Sequence, residues 1–326
     1  MKEIIITENE SNQRLDRFLG KLMPQASKGF LQKMLRKKRI KLNGQKSDPN
    51  TMITLGDKLQ IYFSEETILG FRQSDKTEKT AKNRNVPLAV IYEDKDLLVL
   101  NKPAELLTQP DKTGETSLID LAVAYLTEKG DYDPIENLTF TPACANRLDK
   151  NTTGVVLVPK NFQTLQMVNE AIREDATKKV YFAMVLGEPP EKGEIVGYLK
   201  KDPETNTVSF SEEPTSDKDK KAQLSYQNLG VRSGYSLLKI TLGTGRSHQI
   251  RVQLSAMGYP ILGDPKYGNR RLNIRLYEDF GVRSQLLHSA SFTLIPMNKT
   301  FVAPLPPAFE KILRSFGFKA TLTLEA

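Results

Sequence analysis

The chain has 326 residues and a mass of 36.7 kDa, enough for more than one hydrophobic core, and it contains no apolar run near the roughly 20 residues a membrane helix needs. Its formal net charge is +8, and residues 1–63 alone carry thirteen Lys and Arg against six Asp and Glu. Eight of those basic residues, with no acid among them, lie between Gly20 and Lys41, which points to a polyanion partner; a face kept basic for solubility needs no such clustering.

The start, Met1-Lys2-Glu3-Ile4-Ile5-Ile6-Thr7-Glu8, reads as a short strand with acids rather than a signal peptide. Leu15, Phe18, Leu19 and Leu22 fall at helical spacing and predict an amphipathic helix over Gln13–Met23 that ends at Pro24. Ser27 caps a second helix with Phe30, Leu31, Met34 and Leu35 as its stripe, while Lys33, Arg36, Lys37 and Lys38 lie largely off it. Ile40-Lys41-Leu42 then alternates as a strand, Asn43-Gly44 and Gly56-Asp57 mark turns, and Leu59, Ile61 and Phe63 close a first domain over residues 1–63. Ser64–Val86 is polar and charged and reads as a flexible tether.

The second domain, residues 87–326, opens with strands at Leu88–Tyr92 and Leu97–Leu100 around the turn Glu93–Asp96, and Asn101-Lys102-Pro103 ends that hairpin. A helix over Leu118–Lys129 precedes the polar loop Asn146-Arg147-Leu148-Asp149-Lys150-Asn151, which runs through Thr152-Thr153-Gly154 into the apolar strand Val155–Val158. Such a strand should be buried on both faces, so the loop sits at a rigid edge; on its own, Arg147-x-Asp149 is more safely read as a surface pair in an ordinary turn. A helix near Phe162–Arg173, a strand over Lys178–Gly187, surface hairpins or loops over 188–222 and a strand over Tyr235–Leu242 follow. Hairpins beside helices without βαβ alternation predict an α+β fold with a mostly antiparallel sheet.

Gly243-Thr244-Gly245-Arg246-Ser247-His248-Gln249-Ile250-Arg251 is neither a dinucleotide fingerprint nor a Walker loop. Ser247 is expected to cap a helix with Ile250, Leu254 and Met257 inward, placing Arg246 at its start as a phosphate contact or a plain surface cap. His248 and His288 are expected to serve structural hydrogen bonds. Cys144, the single cysteine, has no paired base and reads as a small buried residue; with two histidines the chain holds little material for a metal site. No cofactor is expected, and cytoplasmic residence and a monomer are the default.

Arg14-Leu15-Asp16, the basic helix through Lys38, Ile40-Lys41-Leu42-Asn43-Gly44 and Leu55-Gly56-Asp57 together resemble the S4-like (αL) RNA-binding domain, which implies structured RNA held through phosphates and shape. Asn146-Arg147-Leu148-Asp149-x-x-Thr152-Thr153-Gly154, Lys179-x-Tyr181 and Gly245–Arg251 occur in that order and resemble three motifs of the RluA/RluD-type pseudouridine synthases, as do Leu262-Gly263-Asp264 before Tyr267 and Leu287-His288-Ser289. The resemblance runs from about Leu88 onward and implies isomerisation of uridines in RNA, ribosomal RNA before transfer RNA, without metal or redox cofactor. It implies Asp149 as the nucleophile or electrostatic partner of the ring or sugar, Arg251 pairing with it, Tyr181 stacking on the target ring, and Arg147 filling the space of a flipped-out base. One position departs from the family's usual pattern: Asn146 stands where His precedes Arg-Leu-Asp. Two other readings are a non-catalytic RNA-binding protein and a nucleoside hydrolase, which would need a second carboxylate beside Asp149.

Overall fold

A computed structural model describes residues 2–7, 10–72, 87–133, 137, 139–202, 205 and 207–319. The N-terminal domain contains β1 (Lys2–Ile5), β2 (Gln13–Arg14), α1 (Leu15–Leu22), α2 (Lys28–Arg36), β3 (Ile40–Leu42), β4 (Met52–Ile53), β5 (Lys58–Ile61) and α3 (Glu65–Arg72). Its sheet runs β1-β5-β3, with β2 and β4 as a separate pair. The apolar stripes of α1 and α2 do meet: Leu15, Phe18, Leu19, Leu22, Leu31 and Leu35 are all buried in one core with Ile40, Leu59 and Ile61.

Three expectations need correction here. Gln13 and Arg14 are strand rather than helix, because they pair with Ile53 and Met52. The basic helix stops at Arg36; Lys37 is its C-cap and Lys38 turns to φ +56, so that Arg39 N bonds back to Met34 O and the chain can enter β3. The first third of the expected tether is helix α3, held by buried Ile68 and by Phe71 against Phe30 at 5.0 Å between ring centroids. The remainder of that tether, 73–86, lies outside the described residues.

The second domain contains β6 (Val90–Glu93), β7 (Leu97–Lys102), α4 (Leu118–Lys129), β8 (Thr153–Pro159), α5 (Phe162–Arg173), β9 (Thr177–Leu186), β10 (Lys192–Lys201), β11 (Val208–Ser211), β12 (Lys220–Arg232), β13 (Tyr235–Leu242), α6 (Gln249–Ala256), α7 (Arg270–Phe280), β14 (Leu287–Leu294), β15 (Lys299–Val302) and α8 (Pro307–Ser315). Its strands form one sheet in the order β11-β10-β12-β13-β9-β14-β8-β7-β6, with β15 also on β14. Every pairing is antiparallel except β14 with β8, where His288 faces Thr153 and Ser289 faces Gly154. The fold is thus α+β with a mixed, mostly antiparallel sheet.

Strand alternation explains the layers. Leu98, Leu100, Val156, Val158, Tyr181 and Ala183 turn to the face covered by α4 and α6. Leu97, Val99, Val155 and Leu157 turn to the opposite face, under α5, while Met184 and Leu237 pack with α7 and α8. Both faces of β8 are covered, which is why all seven of its residues are buried. Residues 188–222 form the arm β10–β11 and the start of β12. Contacts between the domains include Thr139 Oγ1 donating to Glu10 Oε1 at 3.0 Å and Lys21 Nζ 4.5 Å from the centroid of the Phe162 ring. Among the described residues no helix is long and apolar enough to cross a membrane.

Candidate active site

The Asp149 loop enters the sheet at the β8–β14 parallel pair, and its backbone is fastened on both sides. Ala145 N donates to Leu157 O at 2.9 Å. The Asn146 amide brackets β8, with Nδ2 donating to Val155 O (3.0 Å) and Oδ1 accepting from Leu157 N (2.8 Å). Leu148 N donates to Thr108 Oγ1 (3.2 Å), whose hydroxyl donates back to Leu148 O (2.7 Å). After Asp149, Lys150 O accepts from Lys102 Nζ (2.8 Å), Thr152 N turns back to Asp149 O (3.0 Å), and Gln285 Nε2 reaches Thr152 Oγ1 (3.2 Å). Gly154 then has φ +115, and a Cβ there would lie 2.1 Å from Ser289 O, so only glycine lets the loop pass this close to β14. Asp149 therefore hangs from a rigid backbone with its side chain 26% exposed.

Arg251, in the first turn of α6, reaches that carboxylate with Nη1 to Asp149 Oδ2 at 2.7 Å. Its other edge is held by Asp264 through Nε–Oδ2 (2.7 Å) and Nη2–Oδ1 (2.9 Å). Asp264 Oδ1 also accepts the amides of Lys266 and Tyr267. Burial opposes charge on both groups, but their contact outweighs it, raising the pKa of Arg251 and holding that of Asp264 below its ordinary value. The guanidinium carbon lies 5.1 Å from the centroid of the Tyr267 ring. Tyr267 Oη accepts from Val208 N (3.0 Å) and lies 2.8 Å from His248 Nδ1. Burial lowers the pKa of His248, which favours the neutral imidazole.

Tyr181 projects from β9 into the α4/α6 face, buried, across the ladder from Ser289. Burial pushes its pKa up to about 12, with the Ser289 hydroxyl pulling the other way, so the phenol keeps its proton at neutral pH. The charge of Asp149 is felt at Tyr181, Tyr267, His248 and Lys102, so these groups surround one carboxylate.

Asp149, Tyr181 and Arg251 are thus brought together. Arg147 is exposed two residues before Asp149. Arg246 is also exposed, with Nε bonded to Lys221 O at 3.3 Å. It precedes the helix rather than starting it: α6 begins at Gln249, and Ser247 does not cap it. His248 is the N-cap at φ +56, and the Gln249 side chain takes over the turn by accepting from Arg246 N and Thr244 Oγ1. Lys33, Arg36, Lys37 and Lys38 are exposed on the N-terminal domain. Cys144 is buried and its thiol is pushed up to about 12 by burial. His288 bonds Thr153 Oγ1 (2.8 Å) and Ala303 O (3.2 Å).

Sequence reasoning missed Lys102 and the role of Asp264. Lys102 is fully buried, and its Nζ donates to the carbonyls of Pro103, Leu106 and Lys150 at 2.7–2.8 Å. Burial pushes its pKa down to about 7, while three carbonyls call for the three N–H donors of the ammonium. A signal was present: Lys102 is in phase with Leu98 and Leu100, the inward positions of β7.

Residues 13–59 match the S4 domain, and residues 96–256 match the RNA pseudouridylate synthase family. The ribosomal large subunit pseudouridine synthase C of Rickettsia felis is 32% identical over 283 residues, covering 82% of this chain and 86% of that protein. Its counterpart in Buchnera aphidicola is 30% identical over 321 residues, covering 95% and 96%. The fold is similar to that of human RNA pseudouridylate synthase domain containing 4, with a TM-score of 0.58 and 23% identity over 70% of this chain and 92% of that one. The chain belongs to the RNA pseudouridylate synthase family, as an RluA-type enzyme with an N-terminal S4 RNA-binding domain.

Proposed function

We propose that this pseudouridine synthase isomerises particular uridines of large-subunit ribosomal RNA, with Asp149 acting as nucleophile on a base turned out of its stack. The observation that carries the reading is the Asp149–Arg251–Asp264 chain, in which one guanidinium nitrogen is dedicated to aiming the partly exposed carboxylate. The ribosomal target is supported by the names of the relatives above and by the basic S4 domain.

The reaction breaks the N1–C1′ bond, rotates the uracil and forms C5–C1′; C5 loses a proton and N1 gains one. No atom is added and no electron leaves, so neither metal nor redox cofactor is required. Attack at C6, attack at C1′ and assisted proton loss from the sugar all need the same aimed carboxylate. Tyr181 offers a ring to stack on the uracil and a protonated hydroxyl beside it. Extrusion exposes the reacting atoms, Arg147 takes the vacated space, and Arg246 with Lys33, Arg36, Lys37 and Lys38 holds phosphates. The segment between the domains tethers RNA near the site, and the enzyme works in the cytoplasm as a monomer.

The hydrolase reading is less well supported: Asp264, the other carboxylate on Arg251, is enclosed by that guanidinium and two backbone amides. Tritium release from C5-labelled uridine in ribosomal RNA tests the proposal. Wild type should release tritium without free uracil, and Asp149→Asn should release none while still binding RNA; an active Asp149→Asn protein would overturn the mechanism.

A further inference from the structure

Helix α7 uses one face to pack and leaves the other to solvent. Leu276 is buried, with Leu272 and Phe280 partly buried, against Leu262, Leu286 and Phe309. With about 3.6 residues per turn, the opposite face is centred on Arg271, Ile274 and Glu278, flanked by Arg270, Arg275 and Tyr277. All six are exposed, Ile274 by 50% and Tyr277 by 51%. Arg283, just beyond the helix, lies over the Tyr277 ring at 5.6 Å from its centroid.

The choice of basic residue is specific. Between Lys266 and Lys299 the chain has no lysine, and its four guanidinium groups there are Arg270, Arg271, Arg275 and Arg283. Arginine takes phosphate with two parallel N–H bonds and also stacks on bases, which a lysine ammonium does not. Arg271 and Arg275 stand at i and i+4, a like-charge spacing that weakens a helix unless an anion lies across it. Among the described residues, none of the four arginines makes an ion pair, Glu278 and Asp279 on the same helix included.

The position is specific too: one end of the 263–285 segment carries Asp264, which holds Arg251, and the other end is bonded to the Asp149 loop. On α7, Asn273 Oδ1 accepts from Gly263 N (3.0 Å) and its Nδ2 donates to Asp264 O (2.7 Å), next to the carboxylate that holds Arg251. At the other end, Gln285 bonds Thr152, three residues after Asp149.

We infer that the outer face of α7 is an RNA-docking surface: Arg270, Arg271 and Arg275 take backbone phosphates flanking the target, and Tyr277 with Arg283 offers a platform for an unpaired base. The inference rests on the proposed ribosomal RNA substrate and adds to it a second basic contact, in the catalytic domain itself. RNA fits this face better than a protein partner because the four arginines outnumber Glu278 and Asp279, the two acids of the helix.

The test compares wild type with Arg270→Gln/Arg271→Gln/Arg275→Gln and with Lys311→Gln/Arg314→Gln, two exposed positions on α8. Affinity for a large-subunit ribosomal RNA transcript is measured at several salt concentrations, with KM and kcat from tritium release. The α7 variant should lose about tenfold or more in affinity, with KM raised about as much and kcat within about twofold, and its slope of log affinity against log salt should shrink by about 2. Arg→Lys at the same three positions should keep the salt slope, and the α8 variant should match wild type. Matching affinity and slope in the α7 variant and wild type overturns the inference, as does an equal loss in the α8 variant. Thermal unfolding of the triple variant and of Arg271→Gln alone separates misfolding from lost contact. If wild type binds through α7 but releases no tritium, the catalytic reading falls and the surface stands.

Discussion

Arg251 and Asp264 meet edge to edge through two hydrogen bonds of 2.7 and 2.9 Å, which leaves Nη1 of the arginine to Asp149. The arginine is buried and the Asp264 side chain wholly so, which makes their charges interdependent. Asp264→Asn keeps the shape but removes the charge that balances the guanidinium. Unfolding free energy should fall by about 3 kcal/mol, as for other broken buried pairs. Arg251 is then free to rotate, and kcat should drop by about a hundredfold, the scale of one lost preorganised contact. Urea unfolding and single-turnover kinetics check both; a variant with wild-type kcat would show that Asp149 needs no aimed partner.

Lys102 supports the same loop from the other side. Its ammonium satisfies three carbonyls, one of them Lys150 O beside Asp149. Lys102→Met fills the space and strands those acceptors, so stability should fall by about 2 kcal/mol or more and kcat should fall with it. Lys102→Arg keeps the charge but cannot place three donors in that pocket, and should rescue stability only in part. An unchanged kcat in Lys102→Met would mean the loop is held well enough by Thr108 and Gln285.

These contacts mark where sequence reasoning reached and where it stopped. Helix α4 has the expected limits, Leu118–Lys129, because its stop is local: Gly130 adopts φ +82 as a C-cap. The buried strand after the Asp149 loop was likewise legible from its unbroken apolar run. Gln13 and Arg14 read as helix from the sequence because nothing local reveals their pairing with β4. Helix α3 was hidden in a polar stretch, since Ile68 and Phe71 gain their meaning only from Phe30. Asp149 and Arg251 were legible as motif residues, whereas the bonds that place them are long-range: Arg251–Asp264 spans 13 positions and Gln285–Thr152 spans 133. No periodicity in the chain encodes such pairs.

His288 gives a pH prediction. It is fully buried, and burial pushes its pKa from 6.5 down to about 4 while Thr153 Oγ1 donates to Nδ1 and Nε2 donates to Ala303 O. The unfolded chain takes up a proton as pH falls through about 6.5, whereas the folded chain stays neutral until about 4. Stability is therefore full above pH 6.5 and is lost across that window, by about 3 kcal/mol for this one group. His288→Gln cannot titrate, so the difference in unfolding free energy between wild type and variant should shrink from pH 7 to pH 4. Parallel curves would show that His288 ionises normally in the folded protein.

Asn146 occupies the position where the family usually carries histidine, and its amide uses both ends: it donates to Val155 O and accepts from Leu157 N. That clamp pins the chain against β8 three residues before Asp149. Asn146→Ala removes both bonds, costing about 1–2 kcal/mol of stability and, by loosening the carboxylate, about tenfold in kcat with little change in KM. Asn146→Asp is the sharper test, because it keeps the acceptor for Leu157 N but sets a carboxylate oxygen against the Val155 carbonyl, 3.0 Å from the present nitrogen. It should therefore be worse than alanine at neutral pH and recover toward alanine as the carboxylate is protonated. Asn146→His supplies a ring N–H for Val155 O and should retain more activity than either. Kinetics on one ribosomal RNA substrate across the three variants orders them, and an aspartate variant as active as wild type would show that the clamp does not set the position of Asp149.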